Sequence, residues 1–255
     1  MRRPDELRAL VEDYLAELAL TPELHGQAES VRYALVGGKR VRGVICLATA
    51  EAAGVEAEVA LPAAASLELV HAFSLVHDDL PALDNDAERR GRASVWAEYG
   101  EAIAILAGDA LLAEAFRLAL SYPSPEAGRE LAGATLGMIG GQYLDITGTA
   151  PDEATLHNLK TGALFTAAVG LGLWVAHVRA EEQVAWRAFG DELGLLFQIV
   201  DDILDGDGYV ATHGEEGARR LADEAASRAR GRLADVPADT SVLEDIVDGL
   251  ATRTS

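Results

Sequence analysis

Apolar residues recur along this chain at the spacing of helices rather than strands. Leu7, Leu10, Val11, Tyr14, Leu15 and Leu18 follow the i, i+3, i+4, i+7 pattern and mark one face of an N-terminal helix. The same rhythm predicts helices at about 26–36, 41–53, 63–79, 101–121, 126–147, 153–158, 160–178, 181–205, 215–234 and 240–252. Gly37-Gly38, Pro62, Pro81, the run YPSP at 122–125, Pro151, the run GDG at 206–208 and Pro237 punctuate them. No stretch alternates with period two over a useful length, and no hairpin turn separates strand-like runs. With no low-complexity linker and no short repeat, the pattern reads as a single all-α domain over 1–255. It holds roughly ten helices, several of them buried on most sides.

Composition narrows the class. The longest apolar run, 162–178, is about the minimum length of a membrane span. Gly162, Thr166, Gly170, Gly172 and His177 interrupt it, so the expectation is a buried helix and no integral membrane segment. Hydrophobic residues make up 49 % of the 255, enough for a sizeable core. A formal net charge of −21 opposes nucleic acid and anionic membranes, and any anionic substrate would need a local basic pocket. A lone cysteine, Cys46, excludes an internal disulfide. The start, MRRPDELRAL, has charge but no apolar core behind it, so a cytoplasmic protein without a signal peptide is expected.

Two acidic stretches stand out. LVHDDLPALDNDAERRGR, residues 75–92, crowds five acidic residues into eleven positions and follows them with arginines. Like charges this close repel unless a cation sits between them. His71, Ser74 and Asp78 fall within an arc of about 60° on the helix leading in. Pro81 should end or bend that helix and let Asp84 fold back towards Asp78 and Asp79. Further on, LLFQIVDDILDGDG places Gln198, Asp201, Asp202 and Asp205 on one side of an otherwise apolar helix. A solvated acidic face would explain either stretch alone. Both together, without Cys or clustered His, suit Mg²⁺, which is held by a few carboxylates plus substrate phosphates. Cations for those phosphates are present: Lys39, Arg40 and Arg42 in GGKRVRG, Arg89, Arg90 and Arg92 in RRGR, and Lys160 with Thr161 in LKTGAL.

On these residues the chain resembles the trans-prenyltransferases, the isoprenyl diphosphate synthases, and is similar to the bacterial farnesyl and geranylgeranyl diphosphate synthases. The likeness runs from about Gly37 to Asp205. It rests on GGKRVR, ELVHAFSLVHDDLPALDNDAERRGR, GEAIAILAGDALL, GGQYLD, KTGALF and FQIVDDILD in that order. The resemblance implies an isoprenoid synthase fold, a helical bundle around a central cavity, in a homodimer. It implies metal ligands Asp78, Asp79, Asp84, Asp201, Asp202 and Asp205 for three Mg²⁺ ions. The implied catalytic set is Asp78, Asp79, Asp201, Asp202 and Lys160. Lys39, Arg42, His71 and Arg90 match positions that bind isopentenyl diphosphate. Arg89, Lys160, Thr161 and Gln198 match the allylic diphosphate side. Phe73 and Ser74 match the floor that limits chain length.

The chain also departs from the family pattern. Relatives usually carry lysines in a loop after the second acidic stretch, whereas DGDGYVATHGEEGARRLADEA has none. Ala93, Trp96 and Ala97 stand where Pro, His and Lys are common, and Glu98 adds a negative charge. The implied activity is condensation of isopentenyl diphosphate with an allylic diphosphate to farnesyl or geranylgeranyl diphosphate. A non-catalytic subunit of a heteromeric synthase and a class I terpene cyclase remain as alternatives.

Overall fold

A computed structural model describes residues 1–254, and it is helical almost throughout. The α-helices are α1 (Pro4–Ala16), α2 (Gln27–Leu35), α3 (Val41–Ala52), α4 (Ala57–Asp78), α5 (Val95–Tyr99), α6 (Glu101–Ala119), α7 (Glu126–Thr147), α8 (Glu153–His157), α9 (Ala163–Val175), α10 (Val184–Asp205), α11 (Gly208–Ala234) and α12 (Ser241–Ala251). The amphipathic rhythm of α1 is realised: Leu7, Val11, Leu15 and Leu18 are buried, with Leu10 and Tyr14 packed partly against them. Helices α3, α4 and α9 form the centre. The middle of α3 is buried from Arg42 to Ala50, and the apolar run 162–178 becomes α9 with Leu164 to Val175 largely enclosed. Among the described residues one helix, α4, is long and apolar enough to cross a membrane, and 67 % of its apolar window is buried in the bundle.

Three local features differ from the sequence pattern. Helix α4 starts at Ala57 and runs through Pro62, where a boundary was expected. A proline ring breaks the backbone ladder, and here a side chain from elsewhere mends it. The Tyr122 hydroxyl accepts from the Ala63 N–H at 3.1 Å and donates to the Val59 carbonyl at 2.9 Å. Tyr122→Phe would leave both groups unpaired, at a cost of about 1–3 kcal/mol. A Tm lower by several degrees with retained helix content is the expected result, checked by calorimetry.

The second difference is a hairpin that no alternation announces. Glu88–Arg89 (β1) pairs antiparallel with Arg92–Ala93 (β2), with Glu88 opposite Ala93. Arg90 and Gly91 at its tip have φ of 56° and 74°, the two positive values that a two-residue hairpin turn requires. The third lies between α8 and α9, where Asn158–Gly162 forms a π-helical turn in place of a plain helix start. Wide turns of this kind re-aim side chains, and this one carries Lys160 and Thr161.

Candidate active site

One large cavity, about 1060 Å³, opens among the α3 N-terminus, α4, the hairpin, α7, the π-helical turn and α10. Of the residues expected at the site, it gathers Lys39, Arg42, His71, Phe73, Ser74, Asp78, Arg89, Arg90, Lys160, Thr161 and Asp201 on its wall. Asp79, Asp84, Gln198, Asp202 and Asp205 do not line it. The chain contains only two lysines, Lys39 and Lys160, and both stand on this wall.

The basic end is built by close backbone contact. Arg90 at the hairpin tip donates through Nη1 to the Gly37 carbonyl at 2.9 Å. Gly38 has φ 111°, a conformation that favours glycine, and a Cβ there would crowd the same guanidinium at 3.0 Å. Arg40 turns the chain into α3 in a left-handed conformation, φ 53°, and its buried side chain donates to the Leu35 carbonyl. The Arg42 guanidinium lies 4.7 Å above the Phe165 ring, a cation–π seat. The Nε groups of Arg40 and Arg42 are buried and have no hydrogen-bond partner. Arg40 Nε faces Glu12 Oε1 at 3.7 Å, whereas for Arg42 a buried N–H donor without a partner is costly and an anion in the cavity would meet that need. Beneath them lies a residue that the sequence reading passed over. Glu68 is 3 % exposed, accepts from the Gly43 N–H at 2.8 Å and lies 3.8 Å from Arg40 Nη1. His71 is held well below the usual imidazole range, first by burial and then by Arg42, Arg90, Arg40 and Arg89. It therefore acts as a neutral hydrogen-bonding group.

The acidic side is divided by partnership. Asp78 and Asp201 reach the cavity. Burial, reinforced by Asp84, pushes the Asp78 carboxyl up to about 6. Burial and Asp205 raise Asp201, with Lys39 and Arg42 opposing. Asp84 does fold back, its N–H bonding the Asp78 carbonyl at 2.9 Å, and it is exposed, as is Asp205. Asp79, expected among the metal ligands, is 2 % exposed and held by Arg89 Nε at 3.0 Å, so the pair neutralise each other. Arg89 also reaches Asp86 at 3.2 Å. Asp202 is likewise engaged: it accepts from Gln198 Nε2 at 2.6 Å and from the Tyr209 N–H at 2.9 Å. Helical spacing put Asp201 and Asp202 together, but the reversal into α11 claims Asp202 for its own first turn.

The wall at the π-helical turn shows why the GGQYLD stretch stood out. A Cβ at Gly141 would fall 2.5 Å from the Lys160 backbone nitrogen, so glycine lets α7 touch the π-helical turn. One turn later Asp145 pairs with Lys160, Oδ2 to Nζ 2.5 Å. Of the departures, Trp96 donates to the Asp86 carbonyl at 2.9 Å and braces the acidic loop, while Glu98 is exposed and off the cavity wall. The lysine-free segment after Asp205 forms no long loop. It enters α11 at Gly208, with a bend at Gly214, φ 72°.

A metal fits this donor set only with help from a ligand. Among the described residues no three Asp, Glu, His or Cys side chains converge. Asp78 on α4 and Asp201 on α10, without hydrogen-bond or ion-pair partners among the described residues, suit a hard cation that completes its shell with phosphate oxygens and water.

Residues 27–227 match the family model described as polyprenyl synthetase. The chain is 42 % identical over 193 residues to a geranylgeranyl diphosphate synthase of Cyanophora paradoxa, covering 69 % of this chain and 64 % of that one. It is 43 % identical over 219 residues to a dimethylallyltranstransferase of Fischerella ambigua, covering 79 % and 62 %. The chain thus spans a little over three fifths of these curated relatives. An FPP/GFPP synthase from Zymomonas mobilis superposes with TM-score 0.87 at 30 % identity, covering 97 % of both chains. A geranyltransferase from Legionella pneumophila gives 0.85 at 29 %, covering 98 % of this chain and 96 % of that one. Motif order, an all-α bundle around one cavity, and a family match across most of the sequence converge: the chain belongs to the polyprenyl synthetase family.

Proposed function

We propose that the protein is a short-chain trans-prenyltransferase that condenses isopentenyl diphosphate with an allylic diphosphate to give farnesyl or geranylgeranyl diphosphate. The observation that carries this reading is one large cavity with three chemically distinct parts. It has a basic end at Lys39, Arg42 and Arg90, the carboxylates of Asp78 and Asp201, and an apolar wall of Phe73, Met138, Ile139 and Leu164.

In this reading Lys39, Arg42 and Arg90 bind the isopentenyl diphosphate, with neutral His71 donating a hydrogen bond. Asp78 and Asp201, with the exposed Asp84 and Asp205, hold Mg²⁺, three ions when the site is full. Magnesium held by these carboxylates would supply positive charge to the leaving diphosphate. Asp79 and Asp202 orient Arg89 and the α10–α11 corner, and Gln198 supports Asp202. Lys160, Thr161 and Arg89 bind the allylic diphosphate, and Lys160 stabilises the negative charge that develops on departure. The allylic C–O bond breaks with its electron pair leaving on the diphosphate. The isopentenyl double bond then attacks the cation, and the released diphosphate takes the proton. The apolar wall keeps water away and receives the growing tail. The protein works in the cytoplasm in this reading.

Incubation of the pure protein with Mg²⁺, isopentenyl diphosphate and dimethylallyl, geranyl or farnesyl diphosphate tests the reading. Elongated diphosphates support it. No turnover would favour a non-catalytic partner subunit, and a hydrocarbon product a terpene cyclase. The reading includes a homodimer, because Ile105 and Leu106 on α6 and Leu136 on α7, all away from the cavity lining, are 46–70 % exposed. Light scattering at micromolar concentration should return twice the chain mass, and a monomer would refute the pairing.

A further inference from the structure

Glu68 is an acid buried in an anion pocket. On charge alone it is misplaced, since a carboxylate beside a phosphate site weakens phosphate binding. Its surroundings give it another task. The residue before α3, Arg40, has left-handed backbone and makes no side-chain cap, so the first turn of α3 lacks a local acceptor. Glu68, reaching over from α4, supplies one by accepting from the Gly43 N–H at 2.8 Å. Its second oxygen faces Arg40 at 3.8 Å, and its charge also acts on Arg42 and Arg90. Arg40 and Arg42 are 6 % and 9 % exposed. Buried guanidiniums this close would repel one another without a shared counterion. Glu12, the other acid near Arg40, is 3.7 Å from its Nε and 41 % exposed in its side chain, so it is screened by water.

We infer that Glu68 is a positioning residue for the isopentenyl-side diphosphate site: it caps α3 from α4 and holds the Lys39–Arg42 loop and its cations in binding geometry. The role rests on the function proposed above and extends it to a residue that need not touch substrate.

The sign of the effect decides the matter. Glu68→Gln keeps an oxygen for the Gly43 N–H but removes the charge. If Glu68 were only an unfavourable bystander, losing the charge would tighten diphosphate binding. As a positioning residue, its loss weakens binding. The expected result is a Kd for inorganic diphosphate, measured by calorimetry without divalent metal, raised about tenfold. KM for isopentenyl diphosphate should rise about as much, with KM for the allylic substrate within about twofold and helix content unchanged. Glu68→Asp keeps the charge but withdraws it by one methylene, so about a threefold weakening is expected; this variant decides the matter if the Gln form does not fold. Unchanged or tighter diphosphate binding in either folded variant would overturn the role, as would an equal rise in both KM values. Should the unaltered protein turn over no prenyl substrate while Glu68→Gln still loosens diphosphate, the function falls and the positioning role stands.

Discussion

Asp78→Ala and Asp201→Ala should each lower turnover by about 10³-fold or more, with the fold intact. Both carboxylates line the cavity, and neither has a hydrogen-bond or ion-pair partner among the described residues. Removing them deletes ligands without leaving an orphan behind. The stability change should have a definite sign. Asp78 is raised from 3.8 to about 6 because burial and Asp84 oppose its ionised form. A raised acid favours the folded state below its unfolded value and penalises it once pH has risen through the folded value. Asp78→Ala should therefore melt higher than the parent above pH 6, with the gain gone below pH 4. Asp202→Ala provides the contrast. It strips the acceptor from the Tyr209 N–H and from Gln198, and should lower stability by about 1 kcal/mol at neutral pH. Full activity in Asp201→Ala, or in excess chelator, would end the metal-assisted mechanism.

Phe73→Ala should lengthen the product. Phe73 lines the cavity one turn before Asp78 and is itself only 8 % exposed. Its ring meets His77 edge-on at 5.0 Å, and His77 Nε2 in turn lies 3.1 Å from the Ile105 carbonyl of α6. The ring is thus backed by a neighbouring helix and can act as a stop. Ser74 beside it bonds the His71 carbonyl at 2.9 Å and presents little bulk. Truncation opens a space of phenyl size, room for at least one further five-carbon unit. A shift from farnesyl to longer diphosphates by chromatography is the expected result. Aromatic truncation in a core costs about 3–5 kcal/mol, so the variant should also melt well below the parent. A folded, active variant with unchanged chain length would place the stop elsewhere.

Much of this molecule was readable in its sequence, and the exceptions share a cause. The face of α1 and the enclosed α9 followed directly from periodicity, because each depends on its own residues. Pro62 misled because its remedy, Tyr122, lies sixty residues away. The hairpin was invisible because two residues per strand cannot show alternation. At the site, residue type and spacing located the cavity wall but not the orientation of each carboxylate. Asp79 and Asp202 look like their neighbours in sequence. Only tertiary contacts, Arg89 for one and the Tyr209 amide for the other, separate them. Glu68 opens the ELVHAFSLVHDD stretch, but within an apolar helix nothing in the sequence gave it a role. Its meaning appears only when α3 is seen resting on α4.

The presence of both Lys39 and Lys160 on the lining of one cavity has a practical side. With arginine serving at every other basic position, the two side-chain primary amines of the whole chain belong to a single cavity. An amine-selective reagent therefore finds the α-amino group and the cavity, and no other surface. A negatively charged aldehyde followed by borohydride would act as an affinity label without any design for this protein. Conversely, routine lysine cross-linking or surface coupling through lysine would silence it, and immobilisation is better carried through its arginines, its carboxylates or an added tag.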